Sequence, residues 1–177
     1  MNRRDLLTGS AMAAAVAFGW LPAMARTARK PNFVVICCDD LGYGDVGPTG
    51  GKTIPTPHLD HMAREGITLT DYYAPANVCT PSRAGLLTGR YPIRSGMARK
   101  VLLADDTEGL PLSEVTIARA LKPEYASALI GKWHLGHVAP HWPPSRHGFD
   151  YFYGIPYSHD IEPLRVYEDD GRTLTDT

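Results

Sequence analysis

The feature that most constrains the fold is a short apolar run, Asn32 to Cys38, rich in β-branched residues and bounded by Pro31 and Asp39. A continuous apolar stretch of that length reads as a strand buried on both faces within a parallel sheet. In open α/β sheets, ligands collect beyond the carboxyl ends of the strands. Asp39 and Asp40 leave the run at that end and lead into the Gly-rich turn Leu41-Gly42-Tyr43-Gly44. Adjacent carboxylates repel unless a cation lies between them, and hard oxygen ligands favour Ca²⁺ or Mg²⁺. Two solvated turn aspartates are the alternative that these residues alone leave open.

Downstream, local punctuation predicts further elements. Thr56 to Glu65 reads as a helix, with Thr56 as cap, Pro57 in the first turn, Leu59, Met62 and Ala63 on one face, and Gly66 ending it. Ile67 to Tyr73 reads as a strand. Thr80 to Leu87 reads as a helix opening at Cys79, with Pro81 in its first turn and Gly89 beyond its end; Val115 to Leu121 is a second short helix. Ala126 to Ile130 is a buried strand running into Gly131-Lys132-Trp133-His134. The alternation predicts an α/β fold, a layered sandwich with a mostly parallel central sheet. The polar tail, residues 165–177, carries no closing element, so the domain is expected to be incomplete in this chain.

The first 25 residues read as an address. Arg3-Arg4 precede an apolar stretch from Ala11 to Leu21, and Ala23-Met24-Ala25 offers a small-x-small cleavage site. The apolar stretch is too short to span a bilayer comfortably. The paired arginines resemble a twin-arginine signal, with an ordinary secretory signal as the alternative. The mature chain is then expected to begin near Arg26, with a linker over 26–31 and the folded domain over 32–177, in a periplasmic or secreted setting. A formal net charge of −1 provides no general field to attract nucleic acid, so any anion binding must come from local placement of charges. In an oxidising compartment three cysteines leave one unpaired. Cys37 and Cys38, inside the apolar run, are expected to be buried small hydrophobes. Cys79 lies in a polar, Pro-containing segment and is the candidate for function.

A cysteine at a helix N-terminus faces unpaired backbone N–H groups and the positive end of the helix dipole, which stabilise an anion. Arg83, one turn on, shares the face of Cys79, and the two could hold a tetrahedral oxyanion. A surface arginine beside a cap-position cysteine is the bland alternative. Lys132 and His134 are two apart in a segment expected to be extended, so their side chains should project to one side and suit an anionic substrate. His134, His137 and His141 argue weakly for zinc, because Pro140, Pro143 and Pro144 break any helix that would align them. His58 and His61 are expected on the helix surface. Trp133, Trp142 and Tyr151 could line a pocket mouth or simply pack.

These pieces together resemble a known family. Cys79-Thr80-Pro81-Ser82-Arg83, followed by Ala84-Gly85-Leu86-Leu87-Thr88-Gly89-Arg90, is similar to the sulfatase signature C-x-P-S-R with its L-x-T-G-R extension. Asp39-Asp40-Leu41-Gly42-Tyr43-Gly44-Asp45, the Gly131-to-Gly136 box, and Gly148-Phe149-Asp150 through Tyr157-Ser158-His159-Asp160 match the same family in the same order. The resemblance is to the arylsulfatase A-like branch and implies an alkaline phosphatase-like fold. It further implies that Cys79 is converted by a formylglycine-generating maturation enzyme, and that one hydroxyl of the formylglycine hydrate attacks sulfur while the other later expels sulfate. By the same resemblance Asp39, Asp40 and the residue at position 79 bind Ca²⁺, or Mg²⁺. Arg83 holds the formylglycine oxygens, Lys132 pairs with sulfate oxygens, His134 bonds the hydrate, and Ser158 contacts the sulfate. The implied substrate is a small-molecule or carbohydrate sulfate ester, and the implied export partner is the twin-arginine machinery.

Family members also supply a second pair of metal ligands, a histidine acid for the leaving group and a second lysine, none of which is found in residues 161–177. The chain alone is therefore expected to be inactive. Two other functions stay open: a phosphonate monoester or phosphodiester hydrolase of the same superfamily, which can share C-x-P-S-R, and a non-catalytic remnant.

Overall fold

The computed structural model of the protein describes residues 29–176. The signal segment read over 1–25 lies outside the described residues. The chain divides after Cys38 into two compact units.

In the first unit, residues 29–38 form neither helix nor strand, and Phe33, Val34, Val35 and Ile36 are exposed. The buried strand expected over Asn32 to Cys38 is therefore not formed, and Cys37 and Cys38 are exposed rather than buried. The reason is physical: β-branched composition favours an extended backbone, but a strand exists only where a neighbour accepts its hydrogen bonds.

The second unit begins with Asp39. Two short 3₁₀ turns, Tyr43–Asp45 and Gly47–Thr49, follow the aspartates, and Asp45 Oδ2 accepts the Gly42 N–H at 2.7 Å. Helix α1 spans Pro57–Glu65 with Thr56 at its N-cap, and its Gly66 cap donates to the Met62 carbonyl. The strand expected over Ile67 to Tyr73 is absent: these residues are irregular, with Ile67, Leu69, Tyr72 and Tyr73 exposed. Helix α2 spans Cys79–Thr88 and stops at Gly89, whose φ of 64° is the left-handed conformation that glycine accepts without a Cβ penalty. Helices α3, Pro92–Ser95, and α4, Ile117–Leu121, are short, and the Thr116 side chain caps α4 by accepting from Arg119 N–H.

Four strands form one sheet in the order β1-β2-β3-β4: Ala128–Lys132, Tyr151–Ile155, Tyr167–Asp169 and Leu174–Asp176. The pair β1/β2 is parallel and the other two are antiparallel, so the described sheet is mixed rather than mostly parallel. Strand β1 is displaced toward Lys132 from the expected span and is half-exposed, with Ile130 at the surface. The polar tail does carry structure, since β3 and β4 make a hairpin whose pairing rests on backbone bonds that apolar periodicity does not report. Gly131 and Gly154 sit opposite each other in β1/β2, and a Cβ on Gly154 would lie 1.8 Å from the Gly131 carbonyl oxygen. That close approach fixes the end of β1 from which Lys132 projects.

The core gathers Ala84, Met97, Leu102, Leu110, Ala118, Trp133, Leu135, Phe149 and Phe152. Trp142 packs edge-on against Phe152 and Tyr167, and Tyr151 donates to Glu168 at 2.8 Å. Trp133 is fully buried and its indole N–H donates to the Gly136 carbonyl. Packing thus accounts for the three aromatics.

Candidate active site

Three segments meet at one place: the turn at Asp39, the first turn of α2, and the end of β1. Cys79 is the first residue of α2, preceded by an extended Val78, so its side chain stands where the unpaired N–H groups of the helix begin. Cys79 Sγ lies 3.8 Å from Asp39 Oδ1 and 3.2 Å from Lys132 Nζ. Lys132 Nζ also donates to Asp39 Oδ2 at 2.8 Å and to Ser158 Oγ at 3.1 Å. Its side chain is nearly buried, 8% exposed, so the charge is held largely by these partners.

Arg83 lies one turn along α2 from Cys79 and reaches the same centre. One guanidinium nitrogen donates to Asp39 Oδ1 at 3.2 Å and another to the Lys132 carbonyl at 2.6 Å. Burial by itself pushes the Asp39 carboxyl up, but the hydrogen bonds and charges of Lys132 and Arg83 outweigh it and hold the group below its ordinary value. Asp39 is therefore an anion clamped between two cations.

Asp40 completes a second small cluster. One ligand-type atom from each of Asp39, Asp40 and Cys79 falls within 4.8 Å of the others, close enough to share one ion. Two carboxylates suit a hard divalent cation, whereas an unmodified thiol is a soft ligand and suits it less well.

His134 does not continue an extended strand as expected, because its φ is 59°. Among the described residues the two non-glycine positions with left-handed φ are Asp40 and His134, and both are candidate site residues. Such strain persists only where surrounding structure enforces it, and it concentrates at functional sites. The His134 Nε2 bonds the Leu102 carbonyl at 2.8 Å. A carbonyl only accepts, so Nε2 carries the proton and Nδ1 is left with a free lone pair. Nδ1 is buried without a hydrogen-bond partner among the described residues. Burial, opposed by the Leu102 carbonyl and reinforced by the charges of Lys132 and Arg83, lowers the His134 pKa and keeps the ring neutral.

The other candidates fall as follows. Ser158 belongs to the cluster through Lys132. His137 and His141 bond separate carbonyls, of Ala104 and Leu110, and are not gathered with His134 around a common point. His61 pairs with Glu65 at 3.3 Å on the exposed face of α1. Sequence reasoning did not reach Leu102, whose contribution is a backbone carbonyl that carries no side-chain signal.

The sulfatase family profile matches residues 31–171. The chain is 55% identical over 149 residues to steryl-sulfatase of Mus musculus, an alignment covering 76% of this chain and 24% of that protein. It is 51% identical over 148 residues to arylsulfatase A of Homo sapiens, covering 82% and 29% respectively. The chain thus spans about a quarter of the length of the curated relatives it matches. Among solved structures, the PsFucS1 sulfatase from Pseudoalteromonas sp. superposes with a TM-score of 0.66 at 46% identity, covering 74% of this chain and 27% of that one. A sulfatase of Bacteroides thetaiotaomicron, from a locus for glycosaminoglycan metabolism, superposes with a TM-score of 0.73 at 35% identity over 84% and 32%.

Proposed function

The chain belongs to the sulfatase family, and from that premise we propose that it hydrolyses sulfate monoesters at the cluster of Asp39, Cys79, Arg83, Lys132, His134 and Ser158. The alkaline phosphatase-like α/β fold of its structural neighbours is the setting for that chemistry. The observation that carries the reading is the position of Lys132: one buried ammonium lies within hydrogen-bonding distance of Cys79, Asp39 and Ser158 together.

Cys79, converted to formylglycine, would supply as its hydrate the nucleophilic hydroxyl, and the change from sulfur to oxygen gives position 79 the hard ligand that the thiol is not. Asp39 and Asp40 with that residue would hold Ca²⁺, or the smaller Mg²⁺, which when bound polarises sulfate oxygens as a Lewis acid. The remaining work falls to side chains of this chain. Lys132 and Ser158 face the incoming group, so the ammonium meets negative charge on the sulfate oxygens as the S–O ester bond lengthens. Arg83 fixes Asp39 from the opposite side and keeps it ionised. The free lone pair on His134 Nδ1 would accept a hydroxyl proton of the hydrate, a role supported by its lack of another partner among the described residues and by the lowered pKa that keeps the ring neutral. The substrate is a small-molecule or carbohydrate sulfate ester.

The test joins maturation to turnover. Coexpression with a formylglycine-generating enzyme should lower the mass of the Cys79 peptide by about 18 Da, the difference between a thiol-bearing CH₂ and an aldehyde. In the converted full-length enzyme, Lys132→Met should lower kcat/KM on an aryl sulfate by about 100-fold or more. Unmodified Cys79 under those conditions, wild-type turnover by Lys132→Met, or a higher kcat/KM on an aryl phosphonate than on the sulfate would each sink the reading.

A further inference from the structure

Two buried hydrogen bonds run in series behind the cluster. Thr80 Oγ1, on the residue after Cys79, accepts the Leu102 N–H at 3.1 Å, and the Leu102 carbonyl accepts from His134 Nε2 at 2.8 Å. Thr80 is 1% exposed, Leu102 3% and His134 1%. The backbone of one residue, Leu102, therefore bridges the first turn of α2 and the strained residue after β1, through the N–H of one peptide group and the carbonyl of the next. Thr80 and Leu102 also line a cavity of about 280 Å³ with Met97, Arg99, Lys100 and His141. The Leu102 side chain packs in the core, and the Thr80 hydroxyl is the partner that satisfies its buried N–H.

We propose that Thr80 is a positioning residue that acts through the Leu102 backbone to fix the tautomer and orientation of His134. With the Leu102 N–H held, the backbone at that residue is restrained, and its carbonyl, in the following peptide group, stays where it takes the proton of His134 Nε2. That bond obliges the ring to present its lone pair at Nδ1. Without the Thr80 acceptor, a buried N–H is left unsatisfied, the Leu102 backbone shifts toward the cavity to find water, and the His134 ring loses the well-placed carbonyl that selects its tautomer. The variable-looking position of the C-x-P-S-R motif would then have a defined task in this protein.

The consequence for turnover rests on the sulfate-ester reading; the consequence for the ring does not, and the experiment separates the two. The variants are Thr80→Val, which keeps the shape and removes the acceptor, and Thr80→Ser, which keeps the hydroxyl. Conversion of Cys79 is first verified by mass in each full chain, because Thr80 lies inside the maturation motif. Histidine ¹⁵N shifts then read the tautomer. Wild type and Thr80→Ser should show His134 as a single neutral form protonated at Nε2, and Thr80→Val a mixture of the two tautomers. On an aryl sulfate, Thr80→Val should lose about 10-fold or more in kcat, the usual scale for removing an outer supporting bond, with KM little changed. Thr80→Ala, which cannot overpack, provides the same reading if the valine variant does not fold. A wild-type tautomer in both acceptor-free variants, or equal loss in the serine variant, would overturn the proposal. An altered tautomer in an enzyme that turns over no sulfate ester would uphold it and fail the reaction instead.

Discussion

Helices α1 and α2 are nearly equal in length, nine and ten residues, yet the structure uses them in opposite ways. Helix α1 carries the clearer apolar stripe, Leu59, Met62 and Ala63, and buries none of its residues. Helix α2 has little amphipathic pattern and buries Thr80, Pro81 and Ala84. The difference lies in what stands opposite each helix. Helix α2 meets the chain at very close range, where a Cβ on Gly85 would fall 2.4 Å from Pro75, and it rests on the core that also holds Trp133 and Phe152. Small residues allow that approach, and small residues leave a weak periodic signal. A stripe records which face could be buried; burial itself requires a partner surface.

That contrast can be broken most directly by truncation. Phe152→Ala, in the core behind α2, should cost about 3–5 kcal/mol in urea unfolding. Leu59→Ala on α1 should stay within about 0.5 kcal/mol, the range of exposed sites. Equal costs at the two positions would mean that the α1 stripe is covered in solution.

A second measure uses acidity. His147 is completely buried in the core side of the molecule, with Nε2 against the His141 carbonyl and its ring 5.0 Å from that of Trp133. Burial, only partly offset by that carbonyl, lowers its pKa from 6.5 to about 4. The folded state thus binds fewer protons than the unfolded state between those values, so the stabilisation is fully present above pH 6.5 and falls away as the pH drops toward 4. The loss should total about 3 kcal/mol. Unfolding curves of wild type and His147→Gln across that window check it, and the variant should lack this component of the slope. Parallel slopes would show that His147 does not stay neutral in the fold.

A smaller effect sharpens the end of α2. Arg90, just past the helix, donates to Glu114 at 2.6 Å, and the Glu114 side chain is 8% exposed with its second oxygen unpartnered among the described residues. Arg90→Ala leaves a nearly buried carboxylate without its cation and should destabilise by about 1–2 kcal/mol, discounted because the arginine itself is half-exposed. Thermal unfolding of Arg90→Ala and of the pair Arg90→Ala with Glu114→Gln measures it; the double variant should recover part of the loss.

Much of this molecule was legible from its residues, and unevenly so. The ends of α1 and α2 followed from Thr56, Pro57, Gly66, Pro81 and Gly89, because caps and breakers act within a turn of the backbone they terminate. The strands expected at 32–38 and 67–73 did not follow from equally apolar sequence, because each needs a neighbour that composition cannot name. The strands β2 to β4 were missed for the converse reason: short, partly polar segments became strands once β1 offered an edge. The chemical inventory, two adjacent carboxylates, a helix-opening cysteine with arginine one turn on, and a lysine near a histidine, was present in the sequence and is what the family motifs record. Only the tertiary structure decided that Asp39, Cys79 and Ser158 share the Lys132 ammonium across separations of 93, 53 and 26 residues, and that His134 turns its proton to Leu102. Contacts so distant along the chain are selected by packing and loop closure rather than by local preference, which is why the residues were readable beforehand and their geometry was not.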